Sequence, residues 1–386
     1  MPELSGSGIV FFVQNVTCFA HLKCYNAKHK RKAILPYIKE PNTMKKTLAI
    51  LLALAMVLSL AACGSAPAAA PAEEPTAAPA EEPAAPAEEP AAAEDKVYTV
   101  GICQLVKHVA LDAATQGFKD ALTEELGNKV VFVEQIAAND IPTCATIANG
   151  FVSDKVDLIL ANATPALQAA VAATDSIPIL GTSVTEYGVA LQIDGFNGTV
   201  GGNVSGTSDL APLDQQAAMI LELFPDVKKV GILYCSSEAN SVYQSNVVKG
   251  ELEKAGVTVT VYTFADSNDV AVVTATACDE NEVLYIPTDN TAASCTEAIN
   301  NVAESAGVPI IAGEEGICAG CGVATLSISY YDLGVKTGEM AVKILTGESI
   351  ISEMPIEYFP NPVKKYNPAI CEALGVTIPE DYVAIG

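Results

Sequence analysis

Twice in this chain, short apolar runs rich in β-branched residues alternate with helical stretches in the same order. No other feature so narrows the folds open to it. The first series places strands at 97–103, 129–135, 157–161 and 177–180, with helices at 109–126, 141–152 and 165–173. The second places strands at 229–234, 257–263, 282–286 and 309–312, separated by helices at 241–255, 269–278 and 292–305. The two match piece by piece. Val156-Asp-Leu-Ile-Leu-Ala-Asn-Ala-Thr164 aligns with Asn281-Glu-Val-Leu-Tyr-Ile-Pro-Thr-Asp289, and Val100-Gly-Ile-Cys103 with Val230-Gly-Ile-Leu233. Ile177-Pro-Ile179 and Val308-Pro-Ile310 then open the next strand of each series. Such alternation buries a parallel sheet between helices on both faces. The expectation is an α/β fold of two Rossmann-like lobes.

Ligands of open parallel sheets bind beyond the carboxyl ends of the strands. The polar turns of two lobes would therefore face each other across a cleft. Those turns offer Gln104, His108, Thr164, Thr182, Ser183 and Thr185 in the first lobe, and Ser236, Ser237, Asn240, Ser241, Thr288, Asp289 and Asn290 in the second. Any one of these also serves as a helix cap, and a helix N-terminus with open N–H groups is itself an anion site. Thr164 followed by Pro165 is a strong helix start.

Charge then limits the ligand. The chain has 386 residues and a formal charge of −25, and its only Arg is Arg31. Beyond Cys63 there are 13 Lys, no Arg and 44 acidic residues, with His108 the lone His and no Trp. Nucleic acid and anionic lipid surfaces both require clustered cations, so neither is a partner. Guanidinium clamps and His-rich metal sites are excluded too. No Walker loop or spaced glycine fingerprint occurs, and nothing beside His108 suggests a nucleophile, so the chain reads as no enzyme and with no cofactor or metal. Cys318-Ala-Gly-Cys321 lacks the second pair of a zinc site. Eight Cys lie beyond Cys63, several in or beside expected strands and helices, and read as buried, reduced thiols. What suits such a cleft is a zwitterion, its carboxylate on hydroxyls and helix N–H groups, its ammonium on Asp289 or Asp332.

The N-terminal quarter has a different logic. Lys45-Lys46, an apolar run at 48–62, and Leu60-Ala61-Ala62-Cys63 describe a lipoprotein signal at 44–62 with Cys63 as the lipidated residue. Residues 1–43 precede it and read as an upstream extension, with Met44 as the start. Residues 63–96 form an Ala/Pro/Glu tether that cannot bury a core.

Several segments have a familiar composition. They are Val100-Gly-Ile-Cys-Gln104, His108-Val-Ala-Leu-Asp112, Ala163-Thr-Pro-Ala166, Gly202-Asn-Val-Ser-Gly-Thr-Ser-Asp-Leu210, Glu238-Ala-Asn-Ser241, Pro287-Thr-Asp-Asn-Thr291 and Tyr330-Tyr-Asp-Leu-Gly334. Together, over about 96–379, the chain resembles the ABC-transporter substrate-binding lipoproteins that include tryptophan- and tyrosine-binding members. The resemblance implies a type I periplasmic binding protein fold, two lobes joined by a three-crossover hinge, with the ligand in the interlobe cleft. It implies lobe 1 at 97–212 plus 322–347, including a helix at 332–346, and lobe 2 at 213–321 plus 348–386. It also implies an aromatic amino acid as ligand, bound by Gln104, Thr164, Thr185, Asn240, Ser241, Asp289 and Asp332. A monomer held by its lipid on the outer face of the cell membrane would pass that ligand to ABC permease and ATPase subunits. The alternative within the same fold is a receptor for a sugar or autoinducer-type ligand. Val109 stands where the family usually has Pro, and Thr185-Glu-Tyr187 replaces a usual Thr-Asp-Pro, both at the first-lobe rim of the cleft.

Overall fold

The computed structural model describes residues 96–359 and 361–386. The expected extension at 1–43, the signal at 44–62, the lipidation site Cys63 and all but the last residue of the tether lie outside them. The first series folds as β1 (Tyr98–Gln104), α1 (Val109–Leu126), β2 (Val130–Ile136), α2 (Ile141–Asp154), β3 (Leu158–Asn162), α3 (Thr164–Ala173), β4 (Ile179–Val184), α4 (Tyr187–Leu191) and β5 (Val204–Ser208). Local chemistry sets the boundaries. Asp140 caps α2 by accepting from the Thr143 N–H, and α1 stops at Gly127, whose φ of 57° suits a residue without Cβ.

The second series is α5 (Leu213–Leu223), β6 (Lys229–Cys235), α6 (Ala239–Lys254), β7 (Thr258–Phe264), α7 (Val270–Glu280), β8 (Val283–Ile286), α8 (Asn290–Ala293), α9 (Thr296–Ala306), β9 (Ile310–Ala312), α10 (Glu315–Cys321) and β10 (Ala324–Ser327). The helix expected at 292–305 is thus two helices, interrupted at Ser294-Cys295. The chain ends with α11 (Tyr330–Leu345), β11 (Glu357–Tyr358), β12 (Val363–Tyr366), α12 (Pro368–Leu374) and β13 (Val383–Ala384).

The strands form two sheets, in the orders β11-β5-β4-β3-β1-β2 and β13-β12-β10-β9-β8-β6-β7. Five strands of each stand in equivalent order, so β5 corresponds to β10. Helices cover both faces. In the first lobe Phe151, Leu167 and Tyr187 pack on one face, and Phe118, Leu122 and Met340 on the other. In the second, Ile220, Val248 and Tyr285 oppose Phe264, Ile299 and Ile317.

The chain passes between sheets three times: after β5, after β10, and between β11 and β12. This corrects the expected boundaries. The return to the first lobe does not fall near Gly322, because β10 completes the second sheet beside β9 before the chain leaves it. Nor does the chain leave the first lobe at 348. Glu357 and Tyr358 pair with Thr207 and Ser208, which keeps the segment through β11 on the edge of the first sheet.

Candidate functional site

The carboxyl ends of both sheets face a common cavity. It is lined by His108, Leu111, Ser183 and Thr185 from the first lobe, by Asp209 and Tyr330 from two of the crossings, and by Asn240, Thr288, Asp289, Asn290, Ala293 and Glu314 from the second lobe. Its volume is about 10 Å³, room for roughly one water. The lobes are drawn together around it. His108 Nε2 lies 3.3 Å from Asn290 Oδ1, Asn139 Nδ2 donates to Thr291 Oγ1 at 2.9 Å, and the hydroxyls of Thr185 and Thr288 are 3.4 Å apart. All three contacts land on the turn after β8 or on the first two residues of α8.

One residue organises that turn. Glu238, 2% exposed, accepts at one oxygen from the Asn290 N–H (2.9 Å) and the Asn290 amide (2.7 Å). At the other it accepts from the Thr291 N–H (2.9 Å) and hydroxyl (2.8 Å). Because the Asn290 amide nitrogen is committed to Glu238, its oxygen is left to accept from His108 Nε2–H. His108 then presents Nδ1 as an acceptor, and burial lowers the affinity of its ring for a second proton.

Four buried atoms in this lining have no protein partner: His108 Nδ1, Ser183 Oγ, Asp209 Oδ1 and Asn240 Oδ1. Among the described residues only three other buried side-chain atoms share that condition. Buried polar groups without partners are costly, so four converging on one cavity mark a place where something else supplies the bonds. Ser183 reaches it through a strained backbone, φ 53°, where β4 breaks register with β5. Asp209 follows β5 directly. Its Oδ2 accepts from the Tyr330 hydroxyl at 2.8 Å, a bond that ties the first crossing to the second. Asn240 donates its amide to the Thr288 carbonyl at 2.8 Å, which turns its oxygen inward.

The electrostatics are one-sided. Asp209, Asp289 and Glu314 line the cavity and no Lys or Arg does. Burial pushes the Asp209 carboxyl up, against the opposing pull of the Tyr330 and Thr185 hydroxyls. Burial and the nearby Glu238 do the same to Asp289. Burial raises Glu314 to about 7, although it accepts from the Gly316 and Ile317 N–H groups.

The residues expected from sequence divide three ways. Thr185, Asn240 and Asp289 line the cavity, but Asp289 is fully engaged: Oδ1 caps α8 at the Ala292 N–H, and Oδ2 accepts from the Cys235 N–H and the Ser241 hydroxyl. Ser241 lies behind it, fully buried. Gln104 is scaffolding, not lining: it donates to the Val106 carbonyl and Asp112 Oδ1 and accepts from the Thr115 hydroxyl. Thr164 starts α3, buried and outside the lining, so it does not face Asp289 across the cleft. Asp332 is exposed on the first turn of α11 and does not reach the cavity. Sequence reasoning passed over Asp209, Tyr330, Glu314 and Glu238. Cys318 and Cys321 are both buried in α10, each thiol bonded to a backbone carbonyl.

Two lobes, three crossings and a partner-poor polar cavity between them define a cleft-type binding protein for a small solute. The chain belongs to the family described as ABC transporter substrate binding protein, whose profile matches residues 99–385. That family works outside the cytoplasm. Among the described residues no helix is long and apolar enough to cross a membrane. The chain is 38% identical, over 267 residues, to a tyrosine-binding protein of Clostridioides difficile strain R20291, covering 68% of this chain and 76% of that protein. It resembles the solved ABC domain from Streptococcus pneumonia in complex with L-Trp at 33% identity and a TM-score of 0.70, covering 74% of this chain and 97% of that one. Against the ligand-free, open structure of a substrate binding protein with adhesive properties from Clostridium difficile the identity is 39% and the TM-score 0.58, over 75% and 99% of the two chains. Shape agreement thus runs opposite to identity.

Proposed function

We propose that this chain is the binding component of an ABC importer and captures an aromatic amino acid in its zwitterionic form. The four unpartnered atoms around an acid-lined cavity carry this reading. An ammonium has three N–H donors, and Asp209 Oδ1, Asn240 Oδ1 and His108 Nδ1 are acceptors without a donor. A cation placed there also offsets the burial that holds protons on these carboxyls. The carboxylate is left to the hydroxyls of Ser183 and Thr185, since no guanidinium is available. Ser241 and Asp289 act behind these contacts, fixing Asn240 and the turn before α8.

The aromatic class is supported by the tyrosine-binding relative and the L-Trp-bound neighbour. Nothing in the cavity favours a sugar over it. Lipidation at Cys63, tethering through 63–96, attachment to the outer face of the membrane, a monomeric state and delivery to permease and ATPase subunits belong to the same proposal, motivated by the lipobox-like Leu60-Ala-Ala-Cys63. Calorimetry on the chain from Lys96 onward is expected to show binding of tryptophan, tyrosine or phenylalanine and none of ribose or glucose. Tight binding of a sugar with no amino acid bound overturns the reading.

A further inference from the structure

We infer that Asn139 and Thr291 form an interlobe latch, outside the binding cavity, that sets how long the closed lobes hold their solute. The inference rests on capture of a solute between the lobes, whatever its side chain. The three contacts that cross the cleft are not equivalent. His108, Asn290, Thr185 and Thr288 all line the cavity, so two of the three lie on ground that a ligand occupies. Asn139 and Thr291 are absent from that lining, yet Asn139 Nδ2 donates to Thr291 Oγ1 at 2.9 Å across 152 residues of chain. This bond holds the lobes without touching what lies between them.

Each partner is aimed before the lobes meet. On the first lobe, Ala138 and Asn139 stand at φ 53° and 63°, two successive residues in the left-handed backbone that L-residues adopt sparingly. The end of β1 pins them there. The Ala137 N–H donates to the Gln104 carbonyl and the Asn139 N–H to the Leu105 carbonyl, both at 2.9 Å. Asn is among the few side chains that tolerate this conformation, and the turn carries its amide to the second lobe. On that lobe the Thr291 hydroxyl donates to Glu238 Oε1 at 2.8 Å, and the Thr291 N–H donates to the same oxygen at 2.9 Å. With its proton committed to a carboxylate, the hydroxyl has only acceptor capacity left, and the charge behind it strengthens that acceptor. Asn139 supplies the matching donor. Glu238 and Thr291 share a lobe, so opening breaks only the Asn139 bond. Water then takes its place on each side, which limits one such bond to the modest net value of exchange with solvent. The latch therefore slows release severalfold and does not lock the lobes shut.

Release kinetics test it. Tryptophan is the probe, because the chain contains no Trp and the indole emission is then the ligand's own. Isotopically labelled tyrosine or phenylalanine replaces it if those bind and tryptophan does not. Asn139→Gly keeps the left-handed backbone and removes the donor. This variant is expected to melt as wild type does, to associate with the probe at the wild-type rate, and to release it about three- to tenfold faster. Thr291→Val is expected to do the same, and Thr291→Ser, which keeps the hydroxyl, to release at the wild-type rate. Combining Asn139→Gly with Thr291→Val is expected to add nothing to the larger single effect, because both remove one bond. Wild-type release in both single variants, additive effects in the double variant, or a loss carried by association alone overturns the latch and leaves solute binding intact. If wild type binds none of the three amino acids, the amino-acid reading falls and small-angle scattering of the ligand-free chain decides the latch. Asn139→Gly is then expected to enlarge the radius of gyration, and equal radii overturn it.

Discussion

Asp209 and Asp289 are both buried carboxylates in one cavity, yet they have opposite duties. Asp289 spends both oxygens on its own lobe, and Asp209 keeps one unspent. Asp209→Asn is therefore expected to weaken amino-acid binding by about 2–4 kcal/mol, the range for losing a buried charge-assisted partner. Its melting temperature should change little, because the amide still accepts from Tyr330. Asp289→Ala should act mainly on stability, by about 1–3 kcal/mol, since it uncaps α8 and strands the Cys235 N–H. Calorimetry and thermal melts on the two variants separate the cases, and an unchanged affinity in Asp209→Asn would place the ammonium elsewhere. Why Asp289 was readable from sequence and Asp209 was not has a physical basis. Asp289 follows an apolar strand, Leu284-Tyr-Ile286, whose end is plain. Asp209 follows Val204-Ser-Gly-Thr-Ser208, a strand whose hydroxyls hide it from any search for apolar runs. Those hydroxyls are needed where they are: Thr207 lies 2.8 Å from Thr337 of α11, and Ser208 donates to the Thr185 carbonyl.

At the level of elements, α1 was legible to the residue and the first four strands of each series to within a few, because apolar periodicity is strong there. The fifth strands were not, and missing β10 displaced the expected boundary. The break between α8 and α9 was equally invisible, since Ser294 and Cys295 are no strong helix breakers. What joins α11 to the first lobe was also outside sequence reach. It packs against α1 backbone to backbone: a Cβ on Gly117 would lie 2.1 Å from the Tyr331 carbonyl oxygen, and one on Gly334 2.0 Å from that of Ala114. Neither contact leaves space for a methyl group. Gly334→Ala is expected to destabilise the protein by about 2 kcal/mol or more, as overpacking against backbone does. Chemical denaturation measures it, and a wild-type midpoint would show that the helices separate easily.

The whole molecule holds its acids against their preference, and stability should register that. Glu314 is raised from 4.5 to about 7, and Asp209 and Asp289 are raised too, so the folded state keeps protons that an unfolded chain releases. The stability these groups contribute is complete below the unfolded value and is lost as pH rises toward the folded one. The melting temperature without ligand is therefore expected to fall between about pH 4.5 and 7. A saturating aromatic amino acid should flatten that fall, because its ammonium favours the ionised carboxyls. A ligand-free melting temperature that rises steadily across this window would contradict the acid-lined cavity. The path of the chain has a consequence of another kind. The first lobe is begun at Tyr98 but receives α11 and β11 only after the entire second sheet through β10 has been laid down. During synthesis, then, one face of α1 waits uncovered for more than two hundred residues before its partner emerges. Neither lobe can be finished early and stored, because each receives its last strands only near the end of the chain.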